Sequence, residues 1–289
     1  MRANLNGIQI AYTDLGKGLP LLFVHGFPLN GGAWAGQVGA FRSNCRVIVP
    51  DLRGFGRSGA LPGPVPMSRY AEDLGALVQQ LNAPSVILLG HSMGGYVALA
   101  FARAFPKAVR GLVLVGTKAG ADSPEAAAAR REAAAKVGTE GTQSLVEAMA
   151  PKMLSAANTD AAMAQAVRHL MASSRPDGVV GALLGMAERP DAREWLGGIR
   201  VPTLVIAGED DAIIPTLESE ALAKAIPGAQ LKLIPRAGHL VAFEQPEAFN
   251  EALRDWLARP GAGMDAGPFD STQDQPAELV GVSPESKGG

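Results

Sequence analysis

Apolar residues fall along this chain in two textures, and the order in which the textures alternate predicts the fold. Leu21-Leu22-Phe23-Val24, Arg46-Val47-Ile48-Val49 and Val86-Ile87-Leu88-Leu89 are short, nearly continuous apolar runs. Such runs are expected of central strands covered on both faces. Elsewhere the spacing turns helical, over 69–81, 96–105, 217–226 and 247–257, and further strands are predicted over 111–115, 203–207 and 230–234. Ahead of them, Leu5 to Asp14 reads as a hairpin turning at Asn6-Gly7, a pair suited to two residues of positive φ. Strand and helix alternating at this spacing predict an α/β protein: a mostly parallel sheet of about eight strands with helices on both faces.

The alternation stops between Thr117 and Trp195, where alanine dominates and no strand pattern is found. Four helices are predicted there, over 124–136, 142–154, 160–173 and 177–188, with Pro124 at an early helical position where proline is tolerated. The expected organisation is therefore a core of residues 1–116 and 196–260 with a helical cap, 117–195, lying over the C-terminal ends of the strands. The cap methionines Met149, Met153, Met163, Met171 and Met186 read mainly as core filler. Past Pro260 the composition shifts to glycine, proline, serine and acidic residues, and 261–289 is expected to be a poorly ordered tail.

Composition narrows the partners. At 289 residues and 47% hydrophobic the chain can bury a large core, and a net charge of -2 gives no basic surface for nucleic acid or anionic lipid. A lone cysteine, Cys45, excludes disulfides within the chain and reads as a buried thiol. Met1 to Gly7 has no apolar signal-peptide core and no run is long enough to cross a bilayer, so a soluble cytoplasmic protein is expected, monomer or homodimer.

Chemistry concentrates at Gly90-His91-Ser92-Met93-Gly94-Gly95, between a predicted strand and a predicted helix. A strand-to-helix turn this tight forces the central serine into a strained conformation with its hydroxyl presented, and side chains at Gly90 and Gly94 would collide across it. Ser92 is thus a candidate nucleophile, and the Met93 N–H that follows it a candidate donor to an oxyanion. A serine hydroxyl needs a base. Of the four histidines, His91 points away from its neighbour and packs under the turn, and His169 sits on a cap helix as a surface or packing residue. His25 belongs to an earlier loop. His239 follows the last predicted strand and so opens on the same sheet edge as Ser92. The carboxylate that would orient it lies in Glu209-Asp210-Asp211, after the preceding strand; residue order alone leaves three acids open. Scattered histidines and one cysteine indicate no metal site and no cofactor.

The order Ser92, acid, His239 on strand ends resembles the α/β-hydrolase family, over about residues 4–258. The resemblance implies Asp211 as the acid, with Asp210 second, and implies the Phe27 N–H of His25-Gly26-Phe27-Pro28-Leu29 as the other oxyanion donor. His25 becomes a structural histidine, and Pro50 to Gly59 a scaffold loop ordered by ion pairs. A serine rather than an aspartate at the turn argues against haloalkane dehalogenases and epoxide hydrolases. The Phe27-Pro28-Leu29 loop followed by Trp34 resembles ester and enol-lactone hydrolases with a helical lid, including 3-oxoadipate enol-lactonases. What this implies is serine-dependent hydrolysis of small or medium carboxylic esters. Lactonase activity is the alternative, and a hydrolase-like small-molecule receptor or a carbon–carbon bond hydrolase stands behind it. Trp34, Met153, Ile214 and Leu240 are candidate acyl contacts, with packing the competing reading of each. Arg130, Arg131, Lys152 and Arg168 are the cap cations that an acid-bearing lactone could use.

Overall fold

A computed structural model describes residues 1–259; the tail expected over 261–289 lies outside the described residues. Eight strands form one sheet: β1 (Arg2–Leu5), β2 (Ile8–Leu15), β3 (Pro20–Val24), β4 (Arg46–Pro50), β5 (Val86–His91), β6 (Val109–Val115), β7 (Thr203–Gly208) and β8 (Gln230–Ile234). Their order across the sheet is β1-β2-β4-β3-β5-β6-β7-β8. β1 and β2 form the expected hairpin, β2 runs antiparallel to β4, and every later pairing is parallel. The turn residues Asn6 and Gly7 both take positive φ.

Period-two alternation divides the central strands between two apolar layers. Leu22, Val24, Val86, Leu88, Leu112 and Leu114 face a cluster that includes α2 (Met67–Gln80), α3 (Met93–Ala104) and α9 (Thr216–Ala225). Leu21, Phe23, Ile87, Leu89, Val113 and Val115 face Phe41 on α1 (Ala35–Phe41) and Phe249, Leu253 and Trp256 on α11 (Pro246–Leu257). Each aliphatic side chain so removed from water is worth about 1.5–3 kcal/mol, which is why the apolar runs were readable as strands.

Between β6 and β7 lie α4 (Pro124–Glu140), α5 (Gln143–Met149), α6 (Ala161–Ala172), α7 (Pro176–Ala187) and α8 (Arg193–Leu196), and between β8 and α11 the short α10 (Val241–Glu244). The helix expected over 142–154 ends at Met149, and a 3-10 turn over Ala150–Lys152 follows it with Pro151 inside. Proline lacks the N–H that would continue the α-helical ladder. α1, α8 and α10 were not anticipated. No helix among the described residues is long and apolar enough to cross a membrane.

The inserted helices touch the loops at the C-terminal strand ends. Ser174 Oγ donates to the Pro28 carbonyl, and Asn30 Nδ2 to Ser173 Oγ. Leu29, Ala33 and Leu240 share an apolar cluster with Val146, Met153, Leu154, Val167 and Met171. α7 meets the 54–65 segment backbone to backbone through glycines at i, i+3 and i+7: a Cβ on Gly178 would stand 1.9 Å from the Gly54 oxygen, and one on Gly185 1.8 Å from the Val65 oxygen. Gly181 completes the seam by accepting the Val65 N–H at 2.9 Å.

That seam admits no side chain. Gly185→Ala should lower the free energy of unfolding in urea by about 1–3 kcal/mol through overpacking. Gly138→Ala, in α4 with only Val180 Cγ2 at 4.0 Å from the added carbon, should instead be neutral or stabilising by up to about 1 kcal/mol through helix propensity. Equal effects of the two alanines would contradict the close approach.

Candidate active site

Ser92 caps the start of α3 with φ 52° and ψ −114°, outside the regions that a non-glycine residue ordinarily occupies. Its neighbours make the conformation possible. A Cβ on Gly90 would lie 2.3 Å from the Gly94 oxygen, and one on Gly94 2.4 Å from the Val24 oxygen, so both positions exclude side chains. The strained peptide is pinned from several sides: Ser92 N–H donates to Val115 O at 2.9 Å, Thr117 Oγ1 donates to Ser92 O at 2.8 Å, and the Gly95 N–H donates to that same oxygen at 2.8 Å. The side chain remains half-buried.

β3 and β5 are neighbours at the point where the strand order reverses, the place in such sheets where ligands bind. The Phe27 loop leaves β3 there, with a cis Phe27-Pro28 bond. Among the described residues no hydrogen-bond acceptor is found for the amide of Phe27, nor for that of Met93, whose place in the first helical turn leaves it without an intrahelical partner.

Asp211 follows β7 and His239 follows β8. His239 Nδ1 lies 2.8 Å from Asp211 Oδ2, and the two side chains are 2% and 0% exposed, so solvent does not screen the pair. The other carboxylate oxygen, Oδ1, accepts the amides of Ile213 at 2.8 Å and Ile214 at 2.9 Å. Burial pushes the Asp211 carboxyl up, but the hydrogen bond and charge of His239 and the two amides outweigh it and hold the group below its ordinary range. Asp210 turns elsewhere: its Oδ2 accepts from Ser155 Oγ at 2.6 Å. Of the three acids left open by residue order, only Asp211 meets the imidazole.

The tripeptide Val115-Gly116-Thr117 joins the serine to this pair. Its ends bond Ser92, while a Cβ on Gly116 would meet Asp211 Oδ2 at 3.3 Å and His239 Nδ1 at 3.5 Å. Among the described residues neither Ser92 Oγ nor His239 Nε2 has a hydrogen-bond partner, and they are not bonded to each other. Such contacts commonly tighten only when substrate is bound.

Partners assign the tautomers of three buried histidines. His25 Nε2 accepts the Leu52 amide at 2.9 Å, so its Nδ1 is the donor, to Gly26 O at 2.9 Å. His91 Nε2 donates to His239 O at 2.9 Å, with the two rings 4.7 Å apart. His239 donates its Nδ1–H to Asp211, which leaves Nε2 as an open acceptor. Both other histidines are structural, as expected. Burial lowers the His25 pKa, and burial reinforced by the His239 ring lowers that of His91 to about 3. His169 is exposed on α6.

Two of the four candidate acyl contacts are packing. Trp34 is 2% exposed and lies in the α1/α11 layer, its ring 5.1 Å from Phe23 and 5.9 Å from Phe249. Met153 is 0% exposed between the insertion and the His239 loop. Ile214 and Leu240 are buried but keep slivers of surface. The scaffold loop is as expected: Asp51 takes the amides of Gly31 and Arg57 and the Arg57 guanidinium, and Arg53 pairs with Asp73 through two bonds of 2.7 and 2.8 Å.

Sequence reasoning missed Glu244. Its buried carboxylate accepts the Gly238 amide at 2.7 Å, beside His239, and the Ser155 amide at 3.0 Å. The one local signal was an acid closing the apolar stretch Leu240 to Phe243.

Known proteins resemble this chain over most of its length. A family model described as alpha/beta hydrolase fold matches residues 20–246. A thermophilic esterase of Thermogutta terrifontis is 43% identical and superposes with a TM-score of 0.86, over 89% of this chain and 97% of that one. The enol-lactonase of Burkholderia xenovorans is 27% identical with a TM-score of 0.82, over 90% of this chain and 100% of that one. A provisionally named carbamate hydrolase of Azorhizobium caulinodans is 30% identical over 253 residues, 85% of this chain and 93% of that protein.

The depressed His91 carries a pH dependence. The unfolded chain protonates this ring near 6.5 and the folded chain only near 3, so between those values unfolding takes up a proton. The stabilisation is complete above about pH 6.5 and drains as pH falls. Urea unfolding should therefore show wild type losing about 2 kcal/mol more than His91→Gln between about pH 7 and about pH 5. His25 contributes with the same sign in both proteins. Parallel losses would show that His91 is protonated in the folded state.

Proposed function

This chain belongs to the α/β-hydrolase fold family, and from that premise we propose that it hydrolyses carboxylic esters of small or medium acyl groups through an acyl-enzyme on Ser92. The observation that carries the reading is the buried His239–Asp211 pair, held at 2.8 Å on the sheet edge where the Ser92 turn opens. In this reading His239 Nε2, kept unprotonated by the tautomer that Asp211 selects, takes the Ser92 proton as Oγ attacks the acyl carbon. The amides of Phe27 and Met93 receive the developing oxyanion. His239 then protonates the leaving alkoxide, and a water activated by the same Nε2 releases the acid. Asp211 stays ionised throughout and stabilises the imidazolium.

The inserted segment, residues 117–195 as a cap on a core of 1–116 and 196–260, shapes access. Ester chemistry ranks above lactones bearing an acid group because the four candidate cap cations are paired or turned to solvent. Arg130 is paired with Asp122, and Arg131, Lys152 and Arg168 are exposed. The enol-lactonase likeness keeps the cyclic ester as a second reading, since ring opening needs the same attack on the same carbonyl.

Ser92→Ala should lower kcat/KM on p-nitrophenyl butyrate by at least about 10⁴-fold with circular dichroism unchanged. Retention of activity within about tenfold would remove Ser92 from the mechanism. Asp211→Asn should reduce kcat far more than Asp210→Asn, because only Asp211 touches the imidazole; the reverse order would move the acid. Parallel assays on p-nitrophenyl esters, aliphatic lactones and enol-lactones separate the two substrate readings by kcat/KM.

A further inference from the structure

One buried carboxylate ties the inserted segment to the histidine loop. Glu244 ends α10 and is 6% exposed. Its Oε2 accepts the Gly238 N–H at 2.7 Å and the Ser155 N–H at 3.0 Å; Oε1 accepts Asn158 Nδ2 at 2.6 Å and shares the Ser155 N–H at 3.1 Å. Gly238 immediately precedes His239, whereas Ser155 and Asn158 belong to the insertion, 89 and 86 positions from Glu244. On the other side of His239, the Leu240 N–H donates to Met153 O at 2.8 Å. Both residues flanking the imidazole are thus bonded into one contact with 153–158.

The acid loop enters the same contact through Ser155 Oγ on Asp210, next to Asp211. Steric fit agrees with the polar one. A Cβ on Gly238 would stand 2.3 Å from the Leu154 carbonyl carbon and 2.4 Å from Ser155 N. The insertion lies flat on the peptide that carries the base. An ionised carboxylate with three donors is among the stronger hydrogen-bond arrangements, and removing its acceptor capacity strands two backbone amides.

We infer that Glu244 is a positioning residue for hydrolysis, and that 153–158 of the insertion acts through it to hold His239 in register with Asp211 and Ser92. The inference rests on the reading of Ser92, Asp211 and His239 as the reacting set. It makes the insertion part of the machinery that sets kcat as well as a filter on substrates. The reason is geometric: the Asp211–His239 bond constrains one end of the imidazole, and the main chain on both sides of Cα must be fixed before Nε2 is aimed at Ser92 Oγ.

The test compares wild type, Glu244→Gln and Asn158→Ala on p-nitrophenyl butyrate, with Ser92→Ala run alongside. Glutamine keeps the shape of Glu244 but replaces one acceptor oxygen by a donor; alanine at 158 removes a ligand of the carboxylate from the insertion side. Expected are a fall in kcat of about 10- to 100-fold for Glu244→Gln and a smaller fall for Asn158→Ala, with KM changed by less than about threefold in each. The low-field proton resonance of the Asp211–His239 hydrogen bond should broaden and exchange faster in both. If Glu244→Gln does not fold, Asn158→Ala carries the test alone. Unchanged kcat and an unchanged resonance, whatever the loss of thermal stability, would reduce Glu244 to a structural residue. A rise in KM alone would make the insertion a filter only. An active Ser92→Ala would overturn the reading beneath the inference instead, so the two failures are told apart.

Discussion

The conformation of Ser92 is the constraint on which the rest of the molecule depends. A non-glycine residue at φ 52° costs of the order of 1–3 kcal/mol, and it persists only where surrounding contacts over-determine it. Here they do so from the strands on both sides of β5. β3 presses the Val24 oxygen against Gly94, β6 supplies Val115 O to the Ser92 amide, and Thr117 beyond β6 caps the Ser92 carbonyl. None of these can move without releasing the turn. The parallel register of β3, β5 and β6 is therefore a condition for presenting the hydroxyl, as well as a way of burying aliphatic side chains.

Electrostatics then singles out one histidine from three in the same buried region. His25 has both ring nitrogens engaged, and His91 has its Nε2 proton committed to a carbonyl. Desolvation disfavours a charge on either. His239 alone faces a carboxylate through Nδ1 and keeps Nε2 as an unpaired acceptor among the described residues. A neighbouring anion is what lets a buried imidazole accept a proton at tolerable cost. That anion is itself kept ionised by two amides after β7.

Much of this was legible in the chain because it is local. Continuous apolar runs marked the strands, and glycines two positions either side of Ser92 marked a turn that excludes side chains. Features without a local signature were not legible. α1 carries Gly36 and Gly39 within seven residues, which hides its helical period. Trp34 and Met153 were candidate substrate contacts because an apolar residue near a site looks the same whether it faces a cavity or a packed layer; in this structure they are 2% and 0% exposed, within packed layers. Glu244 was invisible as a functional residue because its insertion-side partners lie 86 and 89 positions away. The glycine seam of α7 had the same difficulty, its spacing being meaningful only beside the Gly54 to Val65 backbone.

The groups assigned to the reaction arise at four different strand ends: Phe27 after β3, Ser92 and Met93 after β5, Asp211 after β7, His239 after β8. No two of these four loops are neighbours in sequence, so none can hold another in place by chain connectivity. Close sheet pairing sets the strands but leaves loop tips free to shift by more than a reacting hydrogen bond tolerates. Fixing the tips requires contacts between loops, and the structure makes those contacts through the insertion: Thr117, at its start after β6, bonds Ser92 O, and Ser155 further along bonds Asp210 and Glu244. An insertion placed between β6 and β7 is in reach of all four loops at once. That position lets one segment bear on several loops at once: Ser174 bonds the Pro28 carbonyl, Ser155 bonds Asp210, and Met153 takes the Leu240 amide.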